Sequence, residues 1–96
     1  MKKYEIMFIV RPTLGEDEVK KVIKDFGKIL TSNGAKITNE KDMGQRELAY
    51  EIKDFKTGYY YLYNIEAKDD KAIREFDRLG LISKDVIRHL ITKEED

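Results

Sequence analysis

The sequence predicts an α+β fold in which a four-stranded antiparallel sheet carries two helices on one face. Three observations predict it. Two segments repeat apolar residues at three-and-four spacing, four others are β-type in period or composition, and they follow in the order strand, helix, strand, strand, helix, strand (βαββαβ). At 96 residues the chain suits one small core, so residues 1–96 are expected to form a single domain.

The first strand is "KYEIMFIVRP". Tyr4, Ile6, Phe8 and Val10 share one face, Glu5, Met7, Ile9 and Arg11 the other, and Pro12 stops it. Apolar residues on both faces predict a central strand. The following "TLGEDEVKKVIKDFGKILTSNG" has Thr13 and Glu16 at capping-box spacing and acids in its first turn. Val19, Val22, Ile23, Phe26, Ile29 and Leu30 form its apolar stripe, and Gly34 is its expected terminator.

In "AKITNEKDMGQRELAYEI" there is no helical period, and β-type segments flank Gly44, which predicts one strand with a bulge or bend there. "KDFKTG" is expected to turn the chain into "YYYLYNIEA", where Tyr59, Tyr61, Tyr63 and Ile65 alternate with Tyr60, Leu62, Asn64 and Glu66. "DDKAIREFDRLG" predicts a second helix with Asp69 or Asp70 as N-cap, Ala72, Ile73, Phe76 and Leu79 as stripe and Gly80 as terminator. In "DVIRHLITK", Ile87, His89 and Ile91 alternate with Arg88, Leu90 and Thr92 as a last strand before the acidic tail "EED". The whole is the split β-α-β, ferredoxin-like sandwich, with one sheet face under the helices and the other expected to be open.

Composition narrows the function. Charged residues make up 40% of the chain, yet they are interleaved with regularly spaced apolar positions, which predicts a soluble globular protein rather than disorder. Nineteen basic residues balance nineteen acidic ones, which argues against binding nucleic acid by bulk charge alone, so any such contact must be local or shared with a partner. Without cysteine there is no disulfide or thiolate metal site, and no apolar run reaches signal or membrane-span length, so the cytoplasm is the expected location.

Catalytic chemistry has little to work with. His89 is the only histidine and Ser32 and Ser83 the only serines, neither in a Gly-x-Ser-x-Gly context. His89 shares the parity of Ile87 and Ile91, which favours a partly buried, hydrogen-bonded histidine over a general base. The acids of "GEDE" and "KEED" suit a helix start and a solvated tail. There is no Walker loop and no Gly-x-Gly-x-x-Gly. An acylphosphatase loop is contradicted by "RPTLGEDE", where three acids follow the one Gly, and the third strand lacks the basic-glycine start of an RNA-recognition module. The sequence therefore predicts no enzyme, no cofactor and no metal. Strand parity instead puts Met7, Ile9, Tyr60, Leu62, Arg88 and Leu90 on the open face, an apolar patch with a basic edge and a candidate docking surface.

Four segments, "YEIMFIVRP", "GQRELAYEI", "GYYYLYNIEA" and "VIRHLIT", resemble in order and spacing the bacterial small-subunit ribosomal protein six family, and the Arg-x-Leu-Ala-Tyr run after a Gly is the most specific part. The resemblance implies a structural constituent of the small ribosomal subunit that forms a heterodimer with small-subunit ribosomal protein eighteen. With that partner it would bind the central domain of 16S rRNA at the platform, supporting assembly and translation. The isolated chain would be a monomer, and its place in the cytoplasm would be on the ribosome. Such sharing agrees with the zero net charge. In the family the second strand lies at a sheet edge with charges along it, and Lys41, Asp42, Arg46 and Glu47 match those positions. Edge charges oppose self-association and can pair with a chosen partner. Leu48, Ala49 and Tyr50 are then expected to return the strand to the sheet.

Lys2, Lys3, Arg46 and Arg88 carry over as candidate RNA contacts, and Tyr60 and Leu62 join the edge charges as candidate partner contacts. Many family members have a second basic residue where this chain has Gln45 or Glu47, and Pro where it has Glu51, so the edge is expected to suit a different partner sequence. The rival reading is a ferredoxin-like, small-molecule-sensing regulatory domain that dimerises through its sheet. Against it stands the lack of a Gly-bearing ligand loop between the first strand and helix.

Overall fold

A computed structural model describes residues 2–94. The elements are β1 (Lys2–Val10), α1 (Glu16–Ser32), β2 (Lys36–Ile52), β3 (Phe55–Ala67), α2 (Lys71–Ile82) and β4 (Val86–Glu94), in the predicted order. The four strands form one antiparallel sheet in the order β2-β3-β1-β4. β1 is central, as apolar residues on both its faces require, while β2 and β4 are edges.

The helix-facing parity of β1 and β3 builds the core. Ile6, Phe8 and Val10 meet Tyr63 and Ile65, with Phe26 and Leu30 of α1 and Phe76 of α2 laid over them. Phe8, Phe26 and Phe76 form a ring cluster with centroids 4.9 to 5.7 Å apart. Burying any one of them stabilises the fold by about 1.5–3 kcal/mol, which is why the stripe dictates where each helix lies.

Helix ends differ in part from the sequence expectation. The capping box does not form: the N-cap of α1 is Gly15 and no side chain caps it. Thr13 instead accepts a hydrogen bond from Arg11 Nη1 at 2.8 Å, and Arg11 Nε reaches Asp85 Oδ1 at 3.1 Å, so the hydroxyl is engaged two residues before the N-cap. The acids Glu16, Asp17 and Glu18 still complement the exposed N–H groups. Gly34 does close α1: at φ +91° it lets Ala35 N–H reach Leu30 O at 3.0 Å and its own N–H reach Thr31 O at 3.2 Å, the paired bonds of a Schellman ending. At α2 the two aspartates divide the work. Asp70 is the backbone cap but its carboxylate pairs with Arg74, while Asp69 Oδ1 accepts the N–H of Lys71 at 3.0 Å.

Gly80 is not a terminator, because α2 continues to Ile82. The glycine is there for the His89 ring, which passes so near that a Cβ would lie 2.9 Å from Nδ1.

The β2–β3 hairpin turns only at Lys53 and Asp54, both at positive φ (50° and 69°), the backbone a two-residue hairpin loop needs. Phe55, Lys56, Thr57 and Gly58, expected in the turn, are strand residues. Gly58 lies where Ile9 Cγ2 and the Val10 carbonyl leave no room for a Cβ. Gly44 behaves as expected: at φ +74° it sits at a register shift after Asp42, with its N–H held by Asp42 Oδ1 at 2.9 Å.

Two corrections concern the face away from the helices. A bulge opposite Ile9 and Val10 puts Arg88 against Ile9 and Val86 against Val10, leaving Ile87 as the extra residue. Its Cδ1 therefore lies with Ile9 beside Gly58 on the open face, not with His89 and Ile91 on the helix face. Leu48, Ala49 and Tyr50 do not return to the ladder either. Pairing stops at Glu47↔Thr57 and resumes at Ile52↔Phe55, so four β2 residues stand against Lys56 alone. Those three surplus residues give about 10 Å of slack, and the arm uses it to reach over the sheet. Of the acidic tail, Glu94 closes β4 and accepts from Asn64 Nδ2 at 2.7 Å, and the rest lies outside the described residues.

Candidate macromolecular interface

The face away from the helices is divided. At one end β1, β3 and β4 present Lys3, Glu5, Asn64, Glu66 and Thr92, a polar surface. At the other end Met7, Ile9, Tyr60 and Leu90 form a floor, and the hairpin arm places Leu48, Tyr50 and Ile52 over it, enclosing a cavity of about 200 Å³. The arm crosses to the far edge, where Arg88 Nη1 donates to Tyr50 Oη at 3.1 Å. That bond holds the Arg88 guanidinium still more firmly charged than usual. Tyr50 and Leu90 remain 65% and 54% exposed, so the apolar end is roofed but not sealed. Alternation in β1 and β3 pointed to the floor. The roof carried a weaker signal, the unbroken "LAY" run, which has no strand period and thus no assigned face.

The proposed RNA contacts do not form one cluster. Arg46 and Arg88 belong to opposite edge strands, at the same end of the sheet: Arg88 is opposite Ile9, and Arg46 is opposite Gly58, next to Tyr60. They flank the roofed end from its two sides. Lys2 and Lys3 are exposed at the other end, where Lys3 is opposite Glu66 and Glu94. Six residue steps along β1 separate Lys3 from Ile9, about 20 Å of strand.

Among the proposed partner contacts, Tyr60 lines the cavity, whereas Leu62 lies outside it, between Met7 and Lys41. The edge charges separate by parity. Lys41 and Arg46 are opposite Leu62 and Gly58 on the open-face side. Glu40, Asp42 and Glu47 are opposite Tyr63, Tyr61 and Thr57 on the helix side. Asp42 is also committed to the Gly44 bulge, and Arg46 Nε donates to the Met43 carbonyl at 3.1 Å, so both have local structural work.

His89 is mostly buried against α2, with Nε2 2.8 Å from Asp77 Oδ1 and its ring edge-on to Phe76. This is the satisfied histidine that its parity favoured. Arg11, the one basic residue near the first loop, is held by Asp85 through both side chain and backbone.

On the helix side, Tyr63 Oη donates to Ile23 O at 2.7 Å, and burial, then Tyr61 and Glu40, push its phenol well above the ordinary value. Tyr61 is raised as well, by burial first and then by the charges of Glu40 and Asp42.

Element order, strand order and the divided sheet face define a small ferredoxin-like α+β protein with one partly roofed apolar surface. A family model described as ribosomal protein S6 matches residues 3–93. The structure is similar to that of 30S ribosomal protein S6 from Thermotoga maritima, with a TM-score of 0.93 and 28% identity over 97% of this chain and 87% of that one. A protein from Arabidopsis thaliana shares the fold alone, at a TM-score of 0.56 and 8% identity over 100% of this chain and 95% of that one. The chain belongs to the ribosomal protein S6 family and is a small-subunit ribosomal protein.

Proposed function

We propose that the chain is a non-enzymatic constituent of the small ribosomal subunit that binds the central domain of 16S rRNA together with small-subunit ribosomal protein eighteen, as a heterodimer, during assembly of the platform. The observation that carries this reading is the roofed apolar end of the sheet, with Arg46 on one side and Arg88 on the other. An apolar hollow excludes water around a partner side chain, and the flanking guanidinium groups suit phosphate or carboxylate at its rim. Tyr60 and Leu62 supply the apolar contact, and Lys41, Asp42, Arg46 and Glu47 set the orientation of the partner along β2. Lys2, Lys3, Arg46 and Arg88 supply local phosphate contacts, while the partner adds the positive charge that a neutral chain lacks. Isolated, the chain is a monomer, and in the cell it is cytoplasmic on the ribosome.

The test is binding to a central-domain fragment of 16S rRNA at one moderate salt concentration, with and without protein eighteen. Tight binding only with the partner is expected, and Arg46→Ala should weaken it about tenfold, the loss of one charge-assisted contact. Failure to bind under either condition would remove the reading of partner-dependent binding to the central domain.

A further inference from the structure

A second surface lies on the opposite side of the sheet. Lys20, Lys24 and Lys28 are exposed and four residues apart on α1, so they form one row with about 6 Å between steps. The row is one wall of a groove of about 510 Å³ between α1 and β2, whose other wall carries Glu40 and Asp42 and whose floor includes Tyr61. Lys20 reaches Glu16 at 3.7 Å, but Lys24 and Lys28 have no ion-pair partner among the described residues. Tyr61 is half-buried, with one side against Phe8 and Tyr63 and the remainder turned to the groove.

Cations on one wall, carboxylates on the other and a phenol ring between them have one natural complement. A nucleotide presents phosphate at one end, exocyclic amino donors at the other and a flat ring in the middle. We propose that the α1–β2 groove binds single-stranded RNA, with successive phosphates along Lys20, Lys24 and Lys28, a base on Tyr61 and that base's amino group donating to Glu40 or Asp42. Lysine spacing along the helix is close to the step between successive phosphates of an extended strand. The carboxylates choose the base. Cytosine offers an amino group where uracil offers a carbonyl, so the acidic wall accepts from the first and repels the second. Asp42 is tied to the backbone N–H of Gly44, and Glu40 only to the hydroxyl of Tyr61, a contact that an incoming amino group can replace, so Glu40 is the acceptor assigned. An extended peptide could also enter a groove of mixed charge. The lysine ladder along one wall, with Lys24 and Lys28 unpaired among the described residues, favours the polyanion, because each ammonium that meets a phosphate releases counterions.

This contact goes beyond the proposed heterodimer and lies on the helix side of β2, sharing only Asp42 with the partner edge, so it is tested on the isolated chain. Hexacytidylate and hexauridylate are titrated into labelled protein, amide shifts are read by NMR, and affinities are compared over a range of salt. Saturable shifts along α1 and around Tyr61 are expected, with the cytidine oligomer bound about tenfold more tightly, one amino-to-carboxylate contact against its repulsive counterpart. Lys24→Gln with Lys28→Gln should weaken both oligomers and flatten the slope of log affinity against log salt by about 1.4, two phosphate contacts at about 0.7 each. Glu40→Gln should remove the cytidine preference and leave the salt slope unchanged. Tyr61→Leu should weaken both oligomers about tenfold, read beside its melting curve because the ring also touches the core. The surface substitutions keep the test decisive if that variant unfolds. Absence of shifts in α1, a salt slope insensitive to the two lysines, an unchanged cytidine preference in Glu40→Gln, or shifts there with an acidic or basic peptide but not with RNA would each overturn the proposal. None of those results bears on partner-dependent binding of the central domain.

Discussion

Replacing Gly58 by Ala tests the packing of the open face at its tightest point. A β-carbon added there meets Cγ2 of Ile9 and lies 3.3 Å from the Val10 carbonyl, with Ile87 Cδ1 at 3.6 Å. None of these neighbours moves cheaply. Cγ2 is attached to the β-carbon of a branched residue whose χ1 is stiff in a strand, and the carbonyl is backbone in the centre of the sheet. The cost therefore belongs in the upper part of the overpacking range, about 2–3 kcal/mol. For a chain of this size each kcal/mol moves the midpoint about 4–8 °C, so the melting temperature should fall by about 10–20 °C. Without the clash the same change would be neutral or mildly stabilising, since Gly costs a strand about 0.5–1 kcal/mol relative to Ala. A urea cycle isolates the contact. Ile9→Ala alone should cost about 2–4 kcal/mol, but markedly less in the Gly58→Ala background, where the added methyl enters the vacated space, a coupling of about 2 kcal/mol. Equal costs of Ile9→Ala in both backgrounds, or a Gly58→Ala variant as stable as the native chain, would refute the reasoning.

The hairpin loop holds two non-glycine residues at positive φ, so Lys53→Asn with Asp54→Gly should stabilise by about 1 kcal/mol, seen as a melting midpoint about 4–8 °C higher. Gly44→Ala should destabilise by about 1–2 kcal/mol through backbone strain alone, because nothing lies within 4 Å of the added carbon, and Gly44→Asn should cost less in the same denaturation assay. Alkaline pH should unfold the protein through Tyr63. Its folded pKa is raised above the ordinary 10.0, so its contribution is complete below about pH 10 and is lost as pH climbs past it, when the unfolded chain releases the proton first. Tyr63→Phe should cost about 1 kcal/mol at neutral pH for the bond to Ile23 O and should flatten the alkaline fall of stability followed by circular dichroism.

What the sequence revealed, and what it withheld, follows the range of the forces involved. Alternation in β1 and β3 and the stripes of both helices report which side of an element meets the core, a property of each segment alone, and they were legible. Gly34 and Gly44 were legible because positive φ is a local demand that glycine meets. Gly58 and Gly80 carry the same letter for a different reason. One yields to Ile9 and the other to His89, residues far away in the chain, so reading them as punctuation placed a turn and a helix end where neither exists. Parity failed at Ile87 because one extra residue in a bulge reverses every inference made across it. The floor of the candidate site followed from alternation, but its roof did not. Leu48 to Glu51 leave the ladder for want of a partner residue, and no pattern within the segment records that its opposite strand is short.

β2 shows how these irregularities serve one end. At seventeen residues it is the longest strand, and its outer edge is unpaired, the arrangement most open to chance association. Register shifts after Ile37, Asp42 and Glu47 divide it, so no long regular stretch is offered to another chain. Charge adds a second barrier. If a second copy of β2 paired antiparallel to the first, residues facing each other would share a sheet face, so Lys41 and Arg46 would meet basic residues on the open side and Glu40, Asp42 and Glu47 would meet acids on the helix side. The same segregation welcomes the opposite pattern: a partner carrying acids toward the open face and bases toward the helices is favoured in one orientation only. A chain with zero net charge can thus resist its own copies and still be selective, because the charges are sorted by face along one edge rather than summed over the molecule.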